Sequence, residues 1–336
     1  MRILLRIIGN NMSILITGAA GQDGILLARK LLKTDNAVIG LCRKNQTKYL
    51  QKMAPGIKII AIDLTDLKRL IKVLNKTKPT TIFNLAGYSS VNRSWLEPEI
   101  ATRINSELPV QLLSWIVRNS PTSKLIQASS SEIFGATSDI PQNEETSLKP
   151  ITPYGLSKSV AFEMTQLFRS NENIQASNII LYNHESPLRR EEFVTRRITR
   201  SVARIKHDEQ QILSIGNINM KRDWGWAPDY VNGMILASQK NQADDYILAT
   251  GILHSVRDII ETAFLYAGIE DFERYVLSDQ KMIRKIDPQN LLGNSTKAQK
   301  QLGWKRTLEF KEIIQSMLEY DLQDLKRANK PWLESN

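Results

Sequence analysis

The chain has 336 residues, of which 42% are hydrophobic and 24% are charged. This length allows one large α/β domain, with or without a smaller lobe. No apolar run approaches the roughly 20 residues that a membrane-spanning helix needs, so we expect a soluble protein without a membrane partner. The excess of 45 Lys and Arg over 35 Asp and Glu gives a net charge of +10, which favours nucleic acid, a membrane surface or phosphorylated small molecules without choosing among them.

Cysteine and histidine usage argues against disulfides and metal sites. Cys42 is the single cysteine, which fits a reducing cytoplasm. The three histidines, His184, His207 and His254, are widely separated, so we expect no metal. The first stretch, MRILLRIIGNN, is too short in its apolar part for a signal peptide. We interpret it as an extension before Met12, with translation starting at Met1 or at Met12.

Helices and apolar strands alternate from Ser13 onward. The predicted strands are SILITG, AVIGLC, IKIIAI, TIFNLA, KLIQAS and ASNIILYN, and the predicted helices contain LLARKLL, LKRLIKVL, ELPVQLLSWIV and the segment from Tyr154 to Phe168. Short apolar strands separated by helices are typical of a parallel sheet covered on both faces. The sequence therefore predicts an α/β fold with a Rossmann-type doubly wound parallel sheet.

After about residue 183 the pattern changes to longer connections, the short strands ILSIG and YILAT, and the helices VRDIIETAF and KEIIQSMLEY. We predict a main domain at 13–183, with segments returning to it from the later chain, and a smaller C-terminal α/β lobe at 184–330. The basic segment RREEFVTRRITRSVARIK (189–206) has apolar residues near helical spacing. The plainest interpretation is an amphipathic helix with a solvated basic face.

Three glycines follow the first strand in ILITGAAGQDGILLARKLL. Gly18 permits a tight turn, Gly21 lets a pyrophosphate approach the backbone, and Gly24 permits close helix packing. The following helix contributes N–H groups and a positive dipole end. The spacing is G-x-x-G-x-x-G, so an ordinary turn is the alternative, but the strand-to-helix context predicts dinucleotide binding.

The end of the second strand favours NADP over NAD. Dinucleotide folds that prefer NAD usually carry an acidic residue there, whereas this chain has Arg43 and Lys44, which can meet a 2′-phosphate. A pair of solvated charges is the alternative. Further along, Asp63 and Leu64 are predicted to contact adenine, and the segment Leu85-Ala86-Gly87 is predicted to lie along the cofactor.

Two further segments carry groups suited to acid–base chemistry. Tyr154 and Lys158 in YGLSK are four residues apart and share a helical face. A nearby ammonium stabilises a phenolate, which can then remove a proton from a sugar hydroxyl. The stretch QASSSEIFG places hydroxyls and the carboxylate of Glu132 at a strand end, where simple capping of the next helix is the alternative.

Together, TGAAGQDG, QASSSEIFG and YGLSK resemble the GDP-mannose 4,6-dehydratase family of extended short-chain dehydrogenases/reductases. The resemblance continues over residues 13 to 320, through YNHESP, FVTRRITRSVARI, KRDWGWAPDYV, ATGILHSVRDIIETAF and LLGN. It implies oxidation of C4 of the hexose, loss of water across C5 and C6, and return of hydride to C6. In this scheme Ser130 hydrogen-bonds the C4 oxygen, Tyr154 deprotonates it, Lys158 tunes Tyr154, and Glu132 is the base at C5 and the acid at C6.

The resemblance also implies two sets of binding residues. For the cofactor, the positions beyond those derived above are Gln22, Asp23, Ser89, His184 and Arg189, in addition to Tyr154 and Lys158. For a GDP-sugar substrate, the positions are Ser89, Ser130, Asn183, Glu185, Arg197, Arg222 and Arg284. Arginine suits a diphosphate because its planar fork donates two parallel hydrogen bonds.

Several positions depart from the family pattern. Ser130 stands where Thr is usual, Tyr88-Ser89-Ser90 replaces Gln-Ser-His, and Ile100 replaces a Tyr. Leu188 and Arg190 also differ from the usual Arg-Arg-Gly surroundings of Arg189.

The segment between Arg43 and Asp63 is shorter than in the family and lacks a loop that helps subunits form tetramers. We therefore expect a homodimer built from helices of the main domain, with a homotetramer as the alternative.

Two other functions remain open from the sequence. One is a reductase, epimerase or dehydratase of another GDP-linked sugar, such as a 6-deoxy or heptose derivative, although Glu132 argues for dehydration. The other is a non-catalytic protein that binds a dinucleotide or nucleic acid. The main interpretation has no nucleic-acid partner.

Overall fold

The computed structural model describes residues 13–34, 36–209, 211–283, 286–288 and 291–328. The predicted extension before Met12, the choice between the two starts, and Arg284 lie outside these residues. The strands are β1 (Ser13–Thr17), β2 (Ala37–Cys42), β3 (Lys58–Ala61), β4 (Thr81–Asn84), β5 (Lys124–Ala128), β6 (Gln175–Leu181), β7 (Asn183–Glu185), β8 (Leu213–Ile215), β9 (Lys221–Trp226), β10 (Tyr246–Leu248), β11 (Leu253–Ser255) and β12 (Val276–Ser278).

The α-helices are α1 (Gln22–Leu31), α2 (Thr47–Met53), α3 (Leu67–Thr77), α4 (Val91–Ser94), α5 (Pro98–Thr102), α6 (Leu108–Asn119), α7 (Pro153–Glu172), α8 (Val194–Lys206), α9 (Ala227–Ser238), α10 (Val256–Ala267), α11 (Thr296–Leu302) and α12 (Phe310–Ala328). A π-helical turn, Arg103–Glu107, joins α5 to α6.

The main sheet has seven parallel strands in the order β10-β6-β5-β4-β1-β2-β3. This arrangement confirms the predicted Rossmann-type doubly wound fold. The sequence pattern grouped YILAT with the later, smaller lobe, but β10 pairs with β6 at the edge of the main sheet, with Tyr246 opposite Ile179. This strand is one of the segments that return to the main domain.

Both faces of the sheet are apolar because side chains alternate between them along each strand. Leu15, Ile82 and Leu125 point to one face and pack with buried residues of α3 and α6. Ile14, Ile16, Phe83 and Ile126 point to the other face and pack with α1 and α9. The apolar runs read from the sequence therefore correspond to strands that are covered on two sides.

A second hydrophobic core lies in the C-terminal part of the chain. Helices α8, α10 and α12 pack together around Ile198, Val202, Ile260 and Ile314, with Trp224 of β9 among them. The associated sheets are small, with strand orders β11-β9-β7 and β12-β8. Strand β7 begins two residues after β6 ends, so it links the main sheet directly to the smaller one.

Helix α7 carries Tyr154 and Lys158 and is anchored at both ends. Thr152 caps its N-terminus by accepting a hydrogen bond from Gly155 N–H at 2.9 Å, and Pro153 begins the helix. Near its C-terminus, Arg169 pairs with the buried Asp245 at 2.7 Å. The first turn of α7 is thereby held at the carboxyl ends of the main-sheet strands.

Candidate active site

The carboxyl ends of β1 and β4 form a crevice at the centre of the main sheet. The chain winds from β1 through β2 to β3 on one side and continues with β4, β5 and β6 on the other. Ligands in open α/β sheets bind at such a reversal of strand order. The residues predicted to bind cofactor follow β1, β2, β3 and β4 at this edge.

The glycine-rich turn forms a tight cradle at the start of α1. Gly18 has a φ of +64°, and a Cβ there would lie 2.8 Å from Ala86 N. A Cβ on Gly24 would lie 2.6 Å from the Gly18 carbonyl oxygen. Gly21 is the N-cap residue, and no side chain caps the first turn of α1. The cradle thus fits the pyrophosphate of a dinucleotide, which can accept from the first N–H groups of the helix.

Ser130, Glu132 and Tyr154 converge near the end of β5. Ser130 Oγ accepts a hydrogen bond from Glu132 N–H at 3.3 Å and also hydrogen-bonds the Tyr154 side chain. Glu132 is buried, and its negative charge raises the pKa of Tyr154. Ser130 does cap the short 3₁₀ turn Ser131–Ile133, so the capping alternative holds for the hydroxyl. It does not account for the buried carboxylate beside the phenol.

Burial dominates the proton affinity of Tyr154. The pKa of the phenol is raised to about 12, chiefly by removal from water and also by the charge of Glu132, while the Ser130 hydrogen bond and the Arg189 guanidinium oppose the rise. The phenol is therefore protonated near neutral pH. Arg189, which sequence reasoning assigned only to cofactor contact, is the cation that favours the phenolate.

Lys158 lies beneath the segment that follows β4. Its Nζ donates to the Ala128 carbonyl oxygen at 2.9 Å, and a Cβ on Gly87 would lie 3.5 Å from that Nζ. Burial lowers the pKa of Lys158 to about 8. The groups that lower the pKa of Tyr154 in this structure are Ser130 and Arg189. The sequence-based expectation that Lys158 also lowers the pKa of Tyr154 therefore stays a prediction.

Strand β7 is bound to the start of α1. His184 Nε2 lies 3.0 Å from Asp23 Oδ2, Gln22 Nε2 donates to the His184 carbonyl at 3.0 Å, and Ser186 Oγ donates to Gln22 Oε1 at 2.8 Å. Burial alone lowers the pKa of His184, but Asp23 outweighs it and the pKa is raised. Gln22 and Asp23 therefore hold β7 against the cradle through their side chains.

Arg189, which is half-buried, forms an ion pair with the buried Glu185. Arg189 Nε lies 3.3 Å from Glu185 Oε2, and its guanidinium stacks 3.7 Å from the centroid of Phe193. Burial raises the pKa of Glu185, and Arg189 opposes that shift. Arg189 also lowers the pKa of Asp23, which places its charge near both the glycine-rich turn and Tyr154.

The residues predicted to contact the adenosine half lie at the ends of β2 and β3. Arg43 and Lys44 are exposed. The pKa of Asp63 is lowered by hydrogen bonds from the Thr65 backbone and hydroxyl, and then by Arg43. Leu64, next to Asp63, is half-buried. On the other side of the crevice, Ala86 is buried, Leu85 is half-buried, and Ser89 Oγ accepts from Arg190 at 3.2 Å.

The residues predicted to bind substrate form a more dispersed set. Arg222 is buried and pairs with Asp287, and Arg197 donates to the Glu192 carbonyl at 3.2 Å. Asn183 lies opposite Trp224 where β7 pairs with β9. A cavity of about 370 Å³ adjoins this set and the turn after Glu132, and it is lined by Gly135, Ala136, Thr137, Ser138, Ile140, Ile151, Asp287 and Pro288.

The basic segment forms α8, as its apolar spacing predicts, but its cationic face is not simply solvated. Arg196 and Arg200 both pair with Asp321 of α12, which is fully buried, and Arg204 pairs with Glu191 at 3.2 Å. The interpretation of a solvated face is therefore wrong for Arg196 and Arg200. Their charges join α8 to α12.

Sequence reasoning missed Asn105, which lies in the π-helical turn. Its Oδ1 accepts from Tyr88 N–H at 2.9 Å, and its Nδ2 donates to Ser157 Oγ at 3.0 Å. Ser157 Oγ in turn donates to the Tyr154 carbonyl at 2.8 Å. Asn105 thus ties the segment after β4 to the first turn of α7. The sequence carries no signal for it, since π-helical turns have no recognised spacing pattern.

Comparisons with known proteins identify the family of this chain. The family model for GDP-mannose 4,6 dehydratase matches residues 15–317. The chain belongs to the GDP-mannose 4,6-dehydratase family. The predicted family is thereby confirmed, and with it the predicted class of enzyme, a dehydratase of the lyase class.

Two relatives named GDP-mannose 4,6-dehydratase show how far the similarity extends. The protein from Cricetulus griseus is 37% identical, and the match covers 94% of this chain and 92% of the relative. The protein from Sinorhizobium fredii is 35% identical, over 93% of this chain and 97% of the relative. Both matches span nearly the whole of each protein, so the resemblance found in short motifs extends to the complete fold.

Solved structures confirm the fold at lower sequence identity. UDP-glucose 4-epimerase from Thermotoga maritima has a TM-score of 0.82 at 22% identity and covers 94% of this chain and all of its own. dTDP-glucose 4,6-dehydratase from Bacillus anthracis, in complex with NAD, has a TM-score of 0.80 at 19% identity, over 94% of this chain and 98% of its own. RMD from Pseudomonas aeruginosa, complexed with NADPH, has a TM-score of 0.77 at 20% identity, over 93% and 99%.

Proposed function

We propose that this GDP-mannose 4,6-dehydratase converts GDP-D-mannose to GDP-4-dehydro-6-deoxy-D-mannose with Ser130, Glu132, Tyr154 and Lys158 as its catalytic residues. The observation that carries the assignment is the buried carboxylate of Glu132 beside the Ser130–Tyr154 hydrogen bond. Oxidation at C4 needs only the hydroxyl and the phenol. A carboxylate is the additional group that removal of the C5 proton requires.

The cofactor assigned to the site is a nicotinamide dinucleotide, and NADP in particular. Gly18, Gly21 and Gly24 would hold its pyrophosphate at the start of α1, and the exposed Arg43 and Lys44 would meet the 2′-phosphate. When bound, the cofactor would supply a hydride acceptor at C4 in its oxidised form and a hydride donor at C6 in its reduced form. In support of NADP, the end of β2 carries these two cations and no acidic residue.

The chain's own groups handle the protons. In its phenolate form, which the Ser130 hydrogen bond and Arg189 favour, Tyr154 takes the proton from the C4 hydroxyl as the C4 carbonyl forms, and Ser130 donates a hydrogen bond to that oxygen. The proton taken up by Tyr154 balances the one that C5 regains when hydride returns to C6. Glu132 then takes the C5 proton, which the adjacent carbonyl has made acidic, and delivers it to the C6 hydroxyl, which leaves as water. Burial of these groups protects the unsaturated sugar from solvent.

The nucleotide sugar is assigned to the side of the crevice nearest the smaller sheet. Arg197, Arg222 and Arg284 would bind its diphosphate, and Ser89, Asn183 and Glu185 would contact its polar groups. The lining of the cavity beside the turn after Glu132 includes Asp287, the partner of Arg222. Arg222 is held by Asp287, so a bound diphosphate would compete with that carboxylate for the guanidinium.

The activity is tested by mass spectrometry of products from a panel of GDP-sugars incubated with catalytic NADP⁺. We expect GDP-mannose to lose the mass of one water molecule with no net formation of NADPH. A product formed only with stoichiometric NADPH, and with no loss of water, would instead indicate a reductase. The same assay with NAD⁺ tests the cofactor, because NADP should be preferred and Arg43→Ala should weaken that preference.

We assign the interface of the expected dimer to the outer face of α7. Leu156, Val160 and Leu167 are exposed hydrophobic residues that lie on one side of this helix at helical spacing. Helices α5 and α6 pack beside α7 and extend this face with Ile100. Two such faces would pack as a four-helix arrangement around a twofold axis. We place the dimer in the cytoplasm, where the thiol of Cys42 stays reduced.

A further inference from the structure

Three polar side chains form a buried row across the centre of the main sheet. Thr17, Asn84 and Gln127 occupy paired positions on β1, β4 and β5, so their side chains point to the same face. Each is at most 1% exposed. The equivalent row two residues earlier is apolar, consisting of Leu15, Ile82 and Leu125. Burying polar groups costs free energy unless their hydrogen bonds are made, so the partners of these three side chains show what the row holds in place.

The hydrogen bonds of the row run in a single direction. Ala86 N–H donates to Thr17 Oγ1 at 3.0 Å, Thr17 Oγ1 donates to Asn84 Oδ1 at 2.6 Å, and Asn84 Nδ2 donates to Gln127 Oε1 at 2.7 Å. The last member, Gln127 Nε2, donates to the Ala128 carbonyl at 3.0 Å. Each group is both a donor and an acceptor, and such chains strengthen their members.

The two ends of the row lie at the two halves of the site. Thr17 immediately precedes Gly18 of the cradle, and Ala86 lies in the segment over Lys158. At the other end, the Ala128 carbonyl also accepts from Lys158 Nζ at 2.9 Å. Lys158 thus lies between the Ala128 carbonyl of β5 and the backbone of Gly87, which follows β4. Tyr154 lies one turn before Lys158 on α7.

We infer that Thr17, Asn84 and Gln127 are positioning residues that fix the Ala128 carbonyl, and through it the Lys158 ammonium, relative to the cofactor cradle. This inference rests on the proposed catalytic role of Lys158. Without the row, β5 keeps its backbone hydrogen bonds, but the orientation of the Ala128 peptide is set by fewer contacts. Errors of about 1 Å in the placement of a catalytic group can lower a rate about a hundredfold.

The test variant is Asn84→Leu, because leucine is close to asparagine in size but makes no hydrogen bonds. The hydrogen bonds of the Asn84 side chain are to Thr17 and Gln127 and not to Lys158 or the Ala128 carbonyl. We expect kcat to fall about tenfold while KM for GDP-mannose changes less than about twofold. The pKa of Lys158, followed by NMR of ¹³C-labelled lysine in the free protein, should fall by about half a unit because its acceptor is less well placed. Thr17→Val should shift both quantities in the same direction, and Thr17→Ser, which keeps the hydroxyl, should restore them.

The matched control is Ser123→Ala. Ser123 is 1% exposed, lies just before the other end of β5, and its hydroxyl donates to the Pro79 carbonyl at 2.7 Å. It should lower thermal stability without changing kcat or the Lys158 titration. If Asn84→Leu and Thr17→Val behave like this control, the inference is wrong. If Lys158→Met itself retains wild-type kcat, the proposed role of Lys158 fails instead, whatever the row variants do.

Discussion

Burial shifts the pKa values of the two α7 residues assigned to catalysis in opposite directions. It raises the pKa of Tyr154 to about 12 and lowers the pKa of Lys158 to about 8, so each neutral form is favoured. Both residues, and their spacing on one helical face, were recognisable in the sequence because the pattern is local. Arg189 and Asn105 act on the same site from distant segments, and their contribution was not predictable from spacing.

The pKa of Lys158 predicts the alkaline side of the pH profile. In the proposed mechanism the ammonium is the form that supports Tyr154. It is lost as pH rises through about 8, so kcat should fall over that range. Lys158→Arg should retain a cation and move the fall to higher pH. Lys124→Arg, at the other end of β5, is the control and should leave the profile unchanged. A profile that stays flat in the wild-type enzyme to well above this pH would contradict the assignment.

The same shift has a consequence for stability. The ordinary pKa of a lysine is 10.5, so folding lowers the proton affinity of Lys158. The buried ammonium therefore costs stability at pH below about 8, and that cost disappears as pH rises toward the ordinary value. This fits a residue kept in place for catalysis, at some expense to the fold.

At the scale of elements, the apolar strands and their helices were predictable because each is a short run of local periodicity. Strands β7 and β9 were missed because NHE and KRDWGW are polar and show no alternation. The pairing of strand β10 with β6 was not predictable, since three residues give no indication of their partner. The joining of α8 to α12 depends on residues more than a hundred positions apart, which no sequence window can detect.

The α8–α12 contact makes a specific prediction. Asp321 is fully buried and accepts from Arg196, Arg200 and Thr199, so Asp321→Asn should destabilise the fold by about 3 kcal/mol, as expected when a buried ion pair is broken. Asp324→Asn is the matched control on the same helix. The side chain of Asp324 is 47% exposed and pairs with Arg200, so its loss should cost about 1 kcal/mol or less.

Denaturant unfolding measures both variants. Equal destabilisation by the two substitutions would show that the buried network does not hold the two helices together. Because α8 begins directly after Phe193, on which Arg189 stacks, Asp321→Asn should also raise KM for GDP-mannose.

For the whole molecule, none of the helices in the described part of the chain is long and apolar enough to cross a membrane. The prominent exposed apolar feature near the site is the outer face of α7. Leu156→Glu together with Val160→Glu should convert the expected dimer to a monomer, measured as native mass in solution, because charges would be buried at the interface. Leu265→Glu, at an exposed residue of α10, is the control and should leave the native mass unchanged. A wild-type mass of four chains would contradict the dimer.

The proposed mechanism requires the carboxylate of Glu132 and the phenol of Tyr154 to act on the same hexose ring. A single-turnover reaction of Glu132→Gln with GDP-mannose and bound NADP⁺ tests this, followed by the absorbance of reduced nicotinamide and by product mass. We expect reduced cofactor to accumulate, because C4 oxidation proceeds, while the sugar retains the mass of its water. Loss of water at the wild-type rate in this variant would show that Glu132 does not catalyse the elimination.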